Sequence, residues 1–435
     1  MSAAGPFRSE FESLNGGAPQ WIQALRAAGM DRFASLGFPT TRLEEWKYTD
    51  VSPIARTTFR STGAEPPAAT AELVARPRLG SGSRLVFVNG CYDERLSSVV
   101  FPAEIHAGSL AQAFEHRPDL VEPYVAQLAD VESHTFTALN TAFLRDGAFV
   151  HLPRRTCAAA PIHLLFVSLP LAGQPSASHP RVLIVAEEGS EASIVEDYVG
   201  DGVYFSNAVT EIVVSEDAKV DHYRLQREAA DAFHIGTVDA TQARNSRFRS
   251  YAVSFGASLA RVAINTVMNG EGSECVFDGL YMARDRQHVD HHTCIDHRRP
   301  HCSSRELYKG VLDDKATGVF NGKVYVRPDA QKSDAQQMNM NLLLSDDATV
   351  DTKPQLEIFA DDVKCGHGAA IGRLDDDALF YFRSRGIDAQ TARDLLIRGF
   401  ANQLVGRLPL EPVRSQLQKS LAKRWGWTED VEAVA

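Results

Sequence analysis

The densest run of potential ligand residues is His288-Val-Asp-His-His-Thr-Cys-Ile-Asp-His-Arg-Arg-Pro-His-Cys302, with five histidines and two cysteines in fifteen residues. Imidazole and thiolate are the donors that zinc, iron and copper prefer. If the stretch is a strand, successive side chains point to opposite faces. His288, Asp290, His292 and Cys294 then share one side, and His291, Thr293 and His297 share the other. The donors are thus divided, and neither zinc-finger spacing nor the HxH core of a cupin metal site is present. Two readings stay open. One is a metal site using His288, His292 and Cys294; the other is a stacked β-structure in which these groups pack or hydrogen-bond.

The second candidate is Lys364-Cys-Gly-His-Gly368. Glycines on both sides of His367 predict an exposed, conformationally free loop. Cys365 lies two residues away, and thiolate plus imidazole can hold iron or receive a persulfide sulfur. On its own a Cys-x-His is a weak signal. Other signatures are missing: no GxxxxGK[ST] phosphate loop, no GxGxxG between strand and helix, no GxSxG elbow and no HExxH. The pairs Asp313-Asp314, Asp346-Asp347 and Asp361-Asp362 sit in turn contexts and read as turn caps. Met338 and Met340 follow strand spacing and read as packing residues.

The 435 residues must position these groups, and that length predicts two or three structural regions. With 44% hydrophobic and 23% charged residues the chain has ample material for a core. A formal net charge of -11, with no Lys/Arg-rich stripe, argues against nucleic acid or an anionic membrane as the main partner. Six scattered cysteines without a CxxC pair point to a reducing compartment. The first ten residues lack a signal-peptide pattern, and the apolar run at 162–172 is broken by Pro170, so the expected location is the cytoplasm.

In chain order, residues 18–37 read as a helix with Trp21, Leu25 and Ala28 at helical spacing. Residues 42–50 read as a docking segment that buries the ring faces of Trp46 and Tyr48. Residues 61–70, rich in small residues and Pro-Pro, read as a linker. From Arg84 onward short strands recur, with a helical interlude at about 105–145. No long helix interrupts the later strands, which disfavours a parallel α/β sheet and leaves a sandwich, a barrel or a β-solenoid. More than two hundred residues of single-file strands favour the solenoid, although no repeat of fixed length is visible. After Gly372 the pattern returns to helix. Asp388 is the expected N-cap of a helix with Ala392, Leu395, Leu396, Phe400 and Leu404 on one face, and Val413, Leu417 and Leu421 mark a second. The expected organisation is 1–83 helical with a linker, 84–375 the β core, and 376–435 helical.

Several stretches resemble the SufD family of scaffold subunits in the Suf iron–sulfur cluster assembly system. They are Glu45-Trp-Lys-Tyr-Thr49, Ala138-Leu-Asn-Thr-Ala-Phe143, Asp296-His-Arg-Arg-Pro-His-Cys-Ser-Ser-Arg-Glu306, Phe320-Asn-Gly-Lys323, Gln331-Lys-Ser-Asp-Ala-Gln-Gln337, Lys353-Pro-Gln-Leu-Glu-Ile358, Lys364-Cys-Gly-His-Gly368 and Leu379-Phe-Tyr-Phe-Arg-Ser-Arg-Gly386. The resemblance implies a mainly β fold, a right-handed parallel β-helix between helical ends, and a non-catalytic scaffold that binds no nucleotide itself. It implies pairing with the sister scaffold SufB through the β-helices, with a homodimer possible in isolation. A SufC ATPase would dock on the C-terminal helices, for which Leu395, Leu396, Phe400 and Leu404 are the candidate contacts. It further implies a transient iron–sulfur cluster shared with SufB, with His367 as the candidate ligand and Cys365 as a secondary one. SufB usually carries Glu at the position of His367. The alternative is a stand-alone β-helical or cupin-like metalloprotein using the 288–302 stretch.

Overall fold

The structure, a computed structural model, describes residues 5–14, 17–61, 70–75, 79, 82–100 and 104–426. Most of the expected 61–70 linker lies outside these residues. From Gly147 onward the chain is a parallel β-solenoid whose strands alternate between two sheets. The first sheet includes Tyr204–Val214, Phe233–Gln242, Leu259–Met268, His288–His297, Thr317–Val326 and Thr349–Ile358. The second includes Lys219–Gln226, Arg247–Ser254, Glu274–Ala283, Ser303–Leu312, Asp334–Leu343 and Lys364–Gly372. The coils are unequal: Phe233 pairs with Leu259, Leu259 with His288, and Thr317 with Thr349, advances of 26, 29 and 32 residues. A variable period explains why the sequence shows none.

What does repeat is a corner. In every coil but the last, the turn from first to second sheet places one residue in the left-handed region: Arg155, Gly189, Asp217, Asn245, Gly272, His301 and Lys332. Each backbone N–H there bonds the next coil, as in Asp217 to Arg244 O (3.0 Å), Asn245 to Glu271 O (2.9 Å) and His301 to Gln331 O (2.9 Å). The ladder offsets the conformational cost of positive φ, which Asp and Asn bear better than most residues.

Alternation along each strand sends one set of side chains into the coil and the other outward. The interior holds an apolar cluster that includes Ile184, Ile212, Phe248, Phe277, Tyr308 and Phe320, together with inward-facing buried polar groups such as the Glu196–His222–Arg224 cluster. The outer face of the first sheet is covered from the N-terminal side. The helix Gln20–Leu36 packs on Thr135–Ala142 so closely that a Cβ on Gly29 would lie 2.6 Å from Ala142 N. The buried Arg181–Glu211 pair (2.7 Å) ties this layer to the sheet, because Glu211 also accepts the N–H groups of Ala126, Leu128 and Ala129.

The outer face of the second sheet is covered by Ala389–Val405 and Glu411–Trp425. Asp388 caps the first of these, accepting from Gln390 N and Thr391 N. The resemblance assigns an apolar face of these helices to a docked partner. Instead, Ile397, Ala401, Leu404, Val413, Leu417 and Leu421 bury themselves on Tyr223, Leu225, Tyr251, Val253, Leu280 and Val311 of the same chain. Lys309, sunk beneath the first helix, donates to Phe400 O (2.9 Å) and Gln403 Oε1 (2.5 Å).

The two ends of the solenoid differ. Near the N-terminus, antiparallel strands close it: His106–Ser109 on the first sheet and Cys91–Tyr92 on the second. At the C-terminal end, Thr349–Ile358 and Lys364–Gly372 are the last strands of their sheets, and among the described residues nothing pairs with their outer edges.

Candidate functional site

His367 stands in the middle of the last strand, Lys364–Gly372. The Gly-His-Gly segment is not the free loop its composition suggested. It is ladder-paired, Cys365 opposite Ala335 and His367 opposite Gln337, and neither glycine has positive φ. Its glycines answer a spatial demand instead. A Cβ on Gly366 would lie 2.9 Å from Gln336 Oε1, and one on Gly368 2.9 Å from Met338 Cε. Those neighbours point outward, so Gly366 and Gly368 lie on the outer face while Cys365 and His367 take the inward one.

Cys365 is half-buried and packs against the interior column, and burial pushes its thiol above the usual range. His367 has the same inward direction, but among the described residues no further coil covers it, and it is exposed at the mouth. Beneath it lies Gln337, 2% exposed, whose amide donates to Glu306 Oε2 at 2.6 Å. Around the mouth three large apolar side chains stand in solvent, Ile358, Phe359 and Ile371, and Met338 is exposed on the outer face beside it. An unpaired sheet edge, an apolar rim and an open imidazole therefore occur together. Sequence reading found His367 and Cys365 but not Glu306 or Gln337, whose signal is register, visible only once the strands are aligned.

The 288–302 donors do not come together as a metal site. His288, Asp290, His292 and Cys294 share the outer face, while His291 and His297 point inward. His288 meets Thr49 Oγ1 at 2.9 Å. Asp290, fully buried, accepts from Thr49 Oγ1 (2.6 Å) and Arg261 Nη1 (2.8 Å) and pairs with His292 Nε2 (3.0 Å). Its carboxyl is held far below the usual range: burial opposes ionisation, and His292 and Arg261 outweigh it. Burial also pushes the Cys294 thiol up to about 12, away from the thiolate a metal needs. His291 stacks on Tyr281 (centroids 5.4 Å), His297 meets Ser304 Oγ (2.9 Å), and His301 is a corner residue. Among the described residues no three His, Cys, Asp or Glu side chains converge for a metal.

Asp290 instead anchors the N-terminal segment. Arg261 lies 3.7 Å from the Trp46 ring centre and donates to Glu45 O (2.7 Å), so Glu45-Trp-Lys-Tyr-Thr49 is clasped to the first sheet. Trp46 packs as expected, but Tyr48 does not. It is exposed, with Lys47 over its ring. A cleft of about 330 Å³ remains beside the clasp, bordered by Trp46, His292, Cys294 and Lys323.

Of the expected docking contacts, Leu404 is fully buried in the chain's own core, Phe400 packs against that core, and Leu395 and Leu396 are half-buried. The free apolar groups lie earlier, on the helix Asp376–Ser384, where Phe380 is 72% and Tyr381 56% exposed. That helix buries none of its residues, and Asp375 caps its start through Asp377 N. A stripe at helical spacing shows that a helix buries one face, not what covers it.

Residues 170–400 match the family described as SUF system FeS cluster assembly, SufBD core domain, and residues 5–164 match the SufBD protein N-terminal region. The chain belongs to the SufBD family. Similar SufBD proteins span nearly the same length. An iron–sulfur cluster assembly SufBD family protein of Synechocystis sp. is 36% identical over 411 residues, covering 92% of this chain and 90% of that protein. The iron–sulfur cluster assembly protein SufD of Escherichia coli is 32% identical over 418 residues, covering 93% and 96%. SufD of Bacillus subtilis is 27% identical over 423 residues, covering 93% and 94%. The SufBD core match begins just after the first coil, beyond Ile162–Ser168, and ends in the first long C-terminal helix, so it contains both the open mouth and the helix bearing Phe380.

Proposed function

We propose that this chain is a SufD-type, non-catalytic scaffold subunit that pairs with SufB through the open end of its solenoid. On this reading a nascent iron–sulfur cluster, the cargo of the assembly, forms at that junction with His367 as a ligand from this side and Cys365 as a lesser candidate. The SufC ATPase docks at the C-terminal helices, with Phe380 and Tyr381 as the contacts in place of the buried Leu404. This chain binds no nucleotide itself, and its setting is the cytoplasm. No helix among the described residues is long and apolar enough to cross a membrane. The observation that carries the reading is the juxtaposition at the mouth: an unpaired strand edge, an apolar rim and an uncovered imidazole on the last strand. Sheet edges left open invite strand addition, and a neutral imidazole is a good iron ligand.

The test is anaerobic co-expression with SufB and SufC, followed by size exclusion and iron and sulfide analysis. His367→Ala should leave the complex assembled and remove the cluster. Since His367 lies at the surface, its loss should not impair folding. A His367→Ala complex with full iron and sulfide would refute the assignment of the ligand; no complex in the wild type would refute the scaffold reading.

A further inference from the structure

Inward side chains at matching register form a column through the second sheet: Phe277, Glu306, Gln337 and, at the open end, His367. Phe277 is ordinary core, but the next two are not. Glu306 is 4% and Gln337 2% exposed, and the Gln337 amide reaches across the lumen to the opposite sheet. A Cβ on Gly322 would lie 2.2 Å from Gln337 Nε2, so the amide occupies the space a side chain there would take. Gln337 Nε2 donates to Glu306 Oε2 at 2.6 Å. Once ionised, Glu306 only accepts, and it then decides which end of the amide turns towards it. Gln337 Oε1 is left buried with no hydrogen-bond partner among the described residues. A buried carbonyl oxygen without a donor is costly enough to need an explanation. Its ladder neighbour on the open side is His367, one strand spacing away.

We propose that Gln337, oriented by Glu306 and accommodated by Gly322, is a positioning residue that accepts the ring N–H of His367 and so fixes its tautomer. One imidazole nitrogen then donates inward, and the other presents its lone pair at the mouth. Metal-binding histidines depend on such support, because the hydrogen bond at one nitrogen sets which nitrogen is free to coordinate. The inference rests on the reading of His367 as a ligand only for its purpose; the tautomer itself is a property of this chain alone. It also gives separate jobs to three family-like segments, those ending in Glu306, Gln337 and Gly322–Lys323.

The test is nitrogen NMR of the full-length, histidine-labelled protein without iron, at a pH where imidazoles are neutral, with the His367 signals assigned from His367→Ala. Wild type should show one dominant tautomer. Gln337→Met, close in shape but without the amide, should shift the ratio about fivefold, the effect of one net hydrogen bond. Gly322→Ala should shift it the same way while removing no polar group, because the amide must move. It also serves alone if Gln337→Met does not fold. An unchanged ratio in folded Gln337→Met or Gly322→Ala overturns the proposal. A shifted ratio together with a full cluster in His367→Ala would instead uphold the positioning role and refute the ligand reading.

Discussion

Replacing Glu306 with glutamine isolates the energetics of a carboxyl enclosed in the solenoid. Burial pushes this group up to about 7 from an ordinary 4.5, with the Thr293 hydroxyl and the Gln337 amide pulling it partly back and Asp278 raising it further. The folded chain therefore keeps the Glu306 proton to higher pH than the unfolded chain. Its contribution to stability is fully present below about pH 4.5 and is lost as the pH rises to about 7. Two and a half units at 1.36 kcal/mol each give ~3 kcal/mol. Glutamine has the same shape and cannot ionise, so Glu306→Gln should gain on wild type by about that amount between pH 4 and pH 8. The measurement is urea unfolding followed by circular dichroism at several pH values. Other titrating groups largely cancel in the difference between the two proteins. A difference that stays flat with pH would refute the reasoning, since it would mean that water reaches Glu306.

Three further outcomes follow from the same geometry. Asp290→Ala leaves Arg261 and His292 without their buried partner and should destabilise the chain by about 3–5 kcal/mol, with faster hydrogen exchange across residues 44–49 as the specific sign. Phe380→Ser combined with Tyr381→Ser should change melting very little, because both rings are exposed, yet abolish capture of the SufC ATPase. Retained capture would move the docking surface elsewhere. Ala369→Pro removes a backbone N–H that faces the open edge, since Lys364 N–H bonds Ser333 O and alternate residues face alternate sides. It should leave the isolated chain folded while weakening SufB pairing in a size-exclusion titration.

How far the sequence could be read depended on whether a feature was local. The helix Leu110–His116, the Asp388 cap and the order of helix, strand and helix all follow from spacing and turn chemistry within a few residues. The coil period was hidden because successive advances differ, and the corner that does repeat is filled by Arg, Gly, Asp, Asn, His and Lys in turn. Only the backbone conformation is common to them. The Gly-His-Gly segment misled for a related reason. Glycine signals freedom when read along the chain, but here Gln336 and Met338 of the neighbouring strand take the space. The histidine-rich stretch shows the same limit: alternation correctly divided its donors between two faces, but only the structure shows that Thr49 and Arg261 occupy the outer one.

The two open edges are not equivalent, and the difference bears on how a partner would join. In the first sheet, Thr349 N–H and Phe359 N–H bond inward to Ala316 O and Val326 O, so the N–H groups of even-numbered residues face the edge. Pro354 falls on that side and has no N–H, and a proline on the exposed side of an edge strand is a usual way of discouraging strand addition. The last strand of the second sheet, Lys364–Gly372, has no proline, and the N–H groups of 365, 367, 369 and 371 face outward. If one edge is discouraged and the other left open, an added strand has one favoured place and therefore one register. That place puts the backbone of His367 in the new ladder and its ring over Gln337, at the junction of the two chains rather than beside it. On the proposed reading, a ligand shared across such a junction would exist only once the pair has formed, which would tie cluster assembly to partner choice.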